Sequence, residues 1–562
     1  MGKYKIVKVL LIVFGVLILV MISFGLWVLV KKDSPSPPTI SDTEVEALSK
    51  QLTQVDSNFA YIENSWFRKR SEGFYELYVE GAPFERGVKI GKLTQQQVTF
   101  QESVFVEKIS EYIPSYNYRI VLNAFIAAFN SNLDEHIPIE YQKEIFGISF
   151  SASSEFDVYG KSYLRLLNYH GAHDIGHMMQ NYMLVGCTSF SQWNKDERLL
   201  MSARNFDFYF GDAFSKNKIV AFVAPDKGYN FAFVTWGGMI GVVSGMNQEG
   251  LCVTVNAGTP EIPFKTGTPV SILAREILQY AKSIDEAVAI ARKFSLFVSE
   301  SFHITSAYDT AAVIIEKTPN EMDVVLPDTN ALVCTNFYQS ALFKNTEKNT
   351  ENKENEASFY RYQRVLELLP KSDSLSAKKY AAILRNRNGK EDKPIGNGNE
   401  KAINQLLAHH GIIFSPLEKT FWISTSPNVL GEFVAYNLDS VFAHASGLCQ
   451  STVIESASRN IAPDEYFANG WSSYNEYKLL KSKILNCNAQ QVNVDSLIDC
   501  MIQVNQWYYE PYQIAGDYFF QNQNCKKAQT LYKKALTLEI PSKSSKNDIL
   551  NKLKECNDCS KR

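Results

Sequence analysis

Leu184-Val185-Gly186-Cys187-Thr188-Ser189-Phe190 and Ser202-Ala203-Arg204-Asn205-Phe206-Asp207-Phe208 are the two segments whose reading decides the fold. Both are short runs of small, branched and aromatic residues, the texture of strands. In the second, alternation puts Arg204 and Phe206 on one face and Asn205 and Asp207 on the other. Charges in such apolar surroundings are costly to bury unless they are paired or used. If the strand that begins at Cys187 pairs with the second segment as a hairpin, the Arg204 guanidinium reaches the sulfur. A cation beside a thiol favours the thiolate, and a carboxylate at the strand end can hold and orient an amine. Taken alone, Cys187 reads as an ordinary buried cysteine.

Outward from the hairpin, strand-like runs follow at Ile219–Val223, Asn230–Trp236, Ile240–Met246 and Leu251–Asn256. Helical patterns at Val270–Tyr280 and Ser283–Lys293 come next. Strands at Phe302–Ser306, Ala311–Glu316, Met322–Pro327 and Ala331–Asn336 come after them. Strands, then two helices, then strands is an α+β order with layered sheets. Lys344–Asn355 is polar throughout and reads as a mobile loop. Ser358–Leu369 is helical, and Thr420–Ile423 and Glu432–Tyr436 are further strands. From about Ser446 the chain turns helical, and Tyr512–Leu538 resembles a single tetratricopeptide-like hairpin. A lone repeat needs stacked neighbours, so it is read as a helix pair on the main body, with scope for protein contact.

Upstream, Phe74–Val79 is strand-like, and Leu93–Tyr112 and Ile120–Ser131 are helical. Lys31–Thr43 (KKDSPSPPTISDT) reads as an extended stalk. Val7–Val30 is apolar apart from Lys8 and Ser23, long enough to span a bilayer. It is expected to be an uncleaved signal anchor and the membrane contact, with the remainder exported to a periplasmic or extracytoplasmic space. The 562 residues are 45% hydrophobic with a formal net charge of −3. That supports a large core and gives no basic stripe of the kind nucleic acid demands. Of nine cysteines, Cys449, Cys487, Cys500, Cys525, Cys556 and Cys559 fall late in the chain, compatible with disulfides in an exported domain. His170, His173 and His177 lie on one helical face, but without a His-Glu-x-x-His signature. They are read as a polar face near Cys187 rather than as a metal site, and no cofactor is expected.

Gly186-Cys187-Thr188-Ser189 followed by Arg204-Asn205-x-Asp207 resembles the N-terminal-nucleophile (Ntn) cysteine hydrolases of the acyl-coenzyme A:6-aminopenicillanate acyltransferase family. Bile salt hydrolases and acid ceramidase are more distantly similar. The resemblance extends over about Gly81 to Tyr436. It includes Gly81-x-x-x-x-Arg86-Gly87 through Gly91, Ile137-Pro138-x-Glu140-Tyr141 to Gly147, Gly250–Asn256, Leu332–Asn336 and Ser358–Val365. It implies a four-layer αββα sandwich and a chain that cuts itself between Gly186 and Cys187. The freed α-amine, which titrates near neutral pH, then serves as base, and Cys187 forms a thioester with an acylated amide substrate. By the same resemblance Asp207 holds the α-amine and Arg204 supports thiolate and substrate. Asn256 donates to the oxyanion, and Asn336 contacts the substrate amide or the amine. Arg361, with Arg364 as competitor, binds near the thiolate.

The expected organisation is an anchor over 1–32, a stalk over 33–55, a pro-segment over 56–186, a catalytic domain over 187–445 and a helical region over 446–562. An amide hydrolase or acyltransferase acting on a linear C–N bond is the leading reading. A lipid-directed acyl hydrolase on the same fold and a non-enzymatic membrane-anchored binding protein are the alternatives. The intact set of nucleophile, arginines, aspartate and asparagines argues against the last.

Overall fold

The strand Lys218–Pro225 shows how the core is divided. Val220 and Phe222 join one apolar cluster and Ile219, Ala221 and Val223 another. Successive side chains leave opposite faces of a strand, so a strand buried on both sides reads as a continuous apolar run. In the small sheet, Ile412 and Phe414 face one cluster and Ile413 another.

The structure is a computed structural model of the continuous chain. It describes residues 14, 19, 22–31, 33–171, 184–259, 266–370, 375–448, 452–486 and 494–559. In chain order the strands are β1 (Thr53–Gln54), β2 (Phe59–Ile62), β3 (Ser65–Ser71), β4 (Phe74–Gly81), β5 (Leu184–Val185), β6 (Thr188–Asn194) and β7 (Leu199–Phe206). Then come β8 (Phe208–Tyr209), β9 (Lys218–Pro225), β10 (Phe231–Thr235), β11 (Ser244–Asn247), β12 (Leu251–Ala257) and β13 (Glu300–Ser306). The last are β14 (Ala311–Lys317), β15 (Met322–Val325), β16 (Ala331–Cys334), β17 (His410–Ser415), β18 (Thr420–Ser424) and β19 (Phe433–Asn437). The large sheet has the order β1-β2-β3-β4-β9-β10-β11-β12-β13-β14-β15, the smaller one β16-β6-β7-β17-β18-β19, and β5 pairs with β8.

Trp66, Phe74, Tyr78, Phe222 and Met246 of the large sheet meet Ile412, Phe414, Phe421, Ile423 and Tyr436 of the small one. On its other face the large sheet packs Val79, Ala221, Phe233 and Val255 with Ile145, Leu166 and Ile277 from helices. The small sheet's other face packs Phe190, Ala203, Ile413 and Ala435 with Val365, Tyr380 and Leu384. The layers therefore run helix, sheet, sheet, helix, in an α+β fold.

Several expectations need correction. Among the described residues no helix is long and apolar enough to cross a membrane, so the N-terminal transmembrane helix is not retained. Residues 22–31 are helical, and the rest of 7–30, apart from 14 and 19, lies outside the described residues. The stretch 33–55 is not a bare stalk. Ser41 and Glu44 form a capping box on the short helix Asp42–Val45, and Glu44 pairs with Lys143 at 2.7 Å. Ala47 is buried against Phe84 and Val88. The polar stretch 344–355 contains the helix Glu347–Asn355, because buried Asn349 substitutes for an apolar anchor. Its amide donates to Tyr338 O and Lys344 O, and its oxygen accepts from Tyr338 N. The strand expected over Ile240–Met246 shrinks to β11, since Ile240 N is given to His170 Nε2 and Val242 N to Ser271 O.

The region upstream of Cys187 supplies part of the large sheet. β4 runs parallel to β9 over all eight residues, Phe74 opposite Lys218 through Gly81 opposite Pro225. Glycines 87 and 147 bring the helices Pro83–Leu93 and Ile139–Ser149 into backbone contact, since a Cβ on Gly87 would lie 2.0 Å from Glu144 O. Buried Glu144 pairs with Arg86 at 2.6 Å and with Arg275, from the helix Val270–Tyr280, at 3.3 Å. Helices from Trp471 to Cys559 share a core of their own around Tyr477, Ile498, Met501, Phe519, Tyr532 and Ile549. They dock on the loop at 395–401 through Asn505–Asn397 amide pairs of 2.8 and 2.9 Å and through Lys401–Glu539 at 2.7 Å. In this region Cys525 is disulfide-bonded and Cys500 is a free thiol.

Candidate active site

Cys187 occupies a break in a long hairpin. β6 pairs with β7, Thr188 opposite Asn205, and beyond the break β5 pairs with β8, Val185 opposite Phe208. The register is unbroken across the gap, and Gly186 N donates to Asp207 O at 2.9 Å. The peptide bond between Gly186 and Cys187 is therefore held extended and buried, with only 1% of Cys187 exposed.

β7 brings Arg204 to the thiol, Nη2 donating to Cys187 Sγ at 3.3 Å. The guanidinium is anchored on three further acceptors, Val243 O at 2.7 Å, Ser244 Oγ at 2.5 Å and Val255 O, and lies over the Phe206 ring. The thiolate expected from this cation is not the outcome in the uncut chain. Burial pushes the Cys187 thiol above its ordinary value, and Arg204 only partly draws it back.

Asp207 is fully buried, and neither carboxylate oxygen has a hydrogen-bond partner among the described residues. Burial pushes this carboxyl up to about 7, against the opposing pull of Arg361 and Arg204. A buried acid without partners costs free energy, and such a cost is tolerated mostly at functional positions.

Asn256, near the end of β12, accepts from Ser189 Oγ at 3.2 Å and donates to Cys334 O at 3.1 Å. Asn336, just past β16, donates to Ala257 O at 3.1 Å and accepts from Arg361 Nη2 at 2.7 Å. From the helix Ser358–Leu368, Arg361 also reaches Thr188 Oγ1 at 3.3 Å and Glu400 O at 2.9 Å. Arg204 thus contacts the Cys187 sulfur, Asn256 and Arg361 contact Ser189 and Thr188 just after it, and Asn336 joins them through Arg361. Arg364, the competitor, turns away to Asp392 and Glu367. His170 spends both ring nitrogens on Leu166 O and Ile240 N, which leaves no lone pair for a metal, and His173 and His177 lie outside the described residues.

Residues absent from the sequence reading complete the surroundings. Ser244 Oγ, which accepts from Arg204 Nη1, also pairs with His410 Nε2 at 2.9 Å, and His410 Nδ1 pairs with His409 Nδ1 at 2.9 Å. Both rings are fully buried and held well below their ordinary titration range by that burial, so they act as neutral props behind Arg204. Gln405 donates from Nε2 to Gly186 O at 2.9 Å. The adjacent pair His409-His410 was a visible signal, whereas Gln405 had none.

A model of the family "Acyl-coenzyme A:6-aminopenicillanic acid acyl-transferase" matches residues 193–426, which include Arg204, Asp207, Asn256, Asn336 and Arg361 and begin just after Cys187. The resemblance read from Gly81 to Tyr436 is therefore matched over its later part, while residues 81–192, Cys187 among them, lie outside the match. Among curated proteins, the chain is 24% identical over 296 residues to protein dcd1A of Dictyostelium discoideum, across 46% of this chain and 64% of that protein. It is 25% identical over 242 residues to an uncharacterized protein of Archaeoglobus fulgidus, across 39% of each. The chain thus spans less than two thirds of the length of either relative. Among solved structures, it is similar to an N-acylethanolamine-hydrolyzing acid amidase ortholog of Caenorhabditis elegans, at 16% identity, 41% of this chain, 93% of that chain and TM-score 0.29. It is also similar to a conjugated bile acid hydrolase of Clostridium perfringens, at 13% identity, 45% of this chain, 92% of that chain and TM-score 0.31.

Proposed function

We propose that this chain is a self-activated cysteine amide hydrolase or acyltransferase whose nucleophile is Cys187. The observation that carries the reading is the buried Asp207 carboxylate. It has no hydrogen-bond partner among the described residues, and its own backbone carbonyl holds the amide N–H of Gly186, one residue before Cys187. Cutting the Gly186–Cys187 bond creates an α-amine with donors to spare where such a carboxylate lacks them. Asp207 then holds that amine, and the amine takes the thiol proton as Cys187 attacks a substrate carbonyl. Arg204, fixed by its carbonyl and hydroxyl acceptors, supplies the cation beside the sulfur.

On substrate, Sγ adds to the amide carbon, the C–N bond breaks, and the leaving amine departs with the proton relayed by the α-amine. Water or a second amine then adds to the thioester, the C–S bond breaks and the thiol is restored. By the family resemblance Asn256 and Asn336 serve as donors to the substrate, once their amides leave Cys334 O and Ala257 O. Arg361, tied to both Asn336 and Thr188, sets their orientation. Cys187 shares an apolar cluster with Phe206, Phe208, Phe214, Trp236 and Met239, which supports an apolar acyl group on a linear amide as substrate class. The lipid-directed alternative leaned on the membrane span and loses that support.

Denaturing electrophoresis with N-terminal sequencing tests the reading. It requires a fragment beginning at Cys187 that is absent from Cys187→Ala, and hydrolysis of acyl amides that disappears with it. A wild-type chain that stays whole while hydrolysing amides would sink the self-activation.

A further inference from the structure

We infer that Gln405 is a catalytic residue of the self-cleavage step, its side-chain amide stabilising the oxygen of the Gly186 carbonyl as that carbon is attacked; the inference rests on the self-cleavage reading above. Gln405 is 2% exposed and points Nε2 at Gly186 O over 2.9 Å. The donor is aimed by its backbone rather than by chance contact. The next residue, Leu406, has φ +59, a conformation L-residues adopt at a cost. Asn404 Oδ1 holds Leu406 N at 3.1 Å, and Asn428 Nδ2 holds Leu406 O at 2.8 Å. Asn205, the neighbour of Arg204 on β7, donates to Ile403 O at 3.1 Å and ties this loop to the strand that carries the arginine.

The contact also accounts for glycine at the cut. A Cβ on Gly186 would lie 2.3 Å from Gln405 Nε2, so only glycine lets the amide approach the carbonyl in this way. With its N–H on Asp207 O and its oxygen on Gln405, Gly186 is held at both ends. The side-chain amides of Asn256 and Asn336 are directed elsewhere, to Cys334 O and Ala257 O.

In the step, a bond forms between Cys187 Sγ and the Gly186 carbonyl carbon, and the π pair moves to the oxygen facing Gln405. The tetrahedral centre collapses with loss of the C–N bond, and the nitrogen takes the thiol proton and becomes the α-amine of Cys187. Water then adds to the thioester, the C–S bond breaks, the sulfur regains a proton and Gly186 leaves as a carboxylate. A preorganised donor placed on a developing oxyanion is worth about 10²–10³ in rate.

The test follows appearance of the Cys187 fragment over time in full-length wild type, Gln405→Leu and Gln405→Glu, the last of nearly the same size but without the donor. Folding is matched by near-ultraviolet circular dichroism and the melting transition. Both variants are expected to slow cleavage about 100-fold or more, and hydroxylamine, which cleaves an accumulated thioester, is expected to release no extra fragment, because the first step is the one impaired. If wild type cuts and either folded variant cuts within a few-fold of its rate, Gln405 is not catalytic, while the self-cleavage reading survives. If wild type never cuts, both fall.

Discussion

Removing the charge of Asp207 from the uncut chain should stabilise it in a way that depends on pH. In a Cys187→Ala background, which cannot cut itself, Asp207 stays buried without a partner. Its folded value of about 7 lies above the ordinary 3.8, so the folded chain keeps a proton that the unfolded chain gives up. The contribution to stability is therefore most favourable below about pH 4 and is lost progressively as pH rises towards 7, above which it is level. A gap of about three pH units at about 1.4 kcal/mol each sets a loss of about 4 kcal/mol. Asp207→Asn does not ionise and escapes that loss. The melting temperatures of Cys187→Ala with and without Asp207→Asn, read at pH 4 and pH 8, isolate the difference. The Asn chain should gain on the Asp chain by about 3–4 °C between the two pH values, the unfolding entropy of so long a chain being large. A gap that is the same at both would refute the claim that this carboxyl is ionised at a cost in the uncut chain. On the proposed self-cleavage the sign reverses in cut material, where an ammonium group would accompany Asp207, and the Asn variant should be the less stable at pH 8.

Three further outcomes are expected. After cutting, the two pieces should co-elute on size exclusion under native conditions and separate only in denaturant, since the parallel β4–β9 ladder and the Arg86–Glu144–Arg275 cluster both cross the cut. Arg204→Lys should lower amide turnover about 100-fold or more, because an ammonium cannot hold Cys187 Sγ, Val243 O and Ser244 Oγ together; turnover within about ten-fold of wild type in folded protein would contradict the role. Gly396→Ala should loosen the helical tail, since its φ is +83 and a Cβ there would lie 2.4 Å from Tyr508 Cβ; faster proteolysis or hydrogen exchange over 471–559, with the sandwich unaffected, is the readout.

Much of the sandwich was legible because alternation and breaks are local properties. The runs at Ile219–Val223, Leu251–Asn256 and Ala311–Glu316 each lie within one strand, and period two survives in the text. The elements missed were those whose stability comes from elsewhere in the chain. β1 to β3 are short and partly polar and form by joining an edge already built from β4 and β9. The helix Glu347–Asn355 has no apolar stripe and depends on one buried asparagine.

The same division holds at the site. Chain order names the residues, Cys187 after a glycine, then Arg204, Asp207, Asn256, Asn336 and Arg361, on strands or a helix that patterning located. Their chemical state comes from the folded surroundings. Burial, not the adjacent guanidinium, dominates the Cys187 thiol. Asp207 is a carboxylate without a hydrogen-bond partner among the described residues, and Gln405, more than two hundred residues further along, donates to the Gly186 carbonyl. Desolvation and hydrogen-bond pairing depend on which distant segments close over a group, and chain order does not carry that.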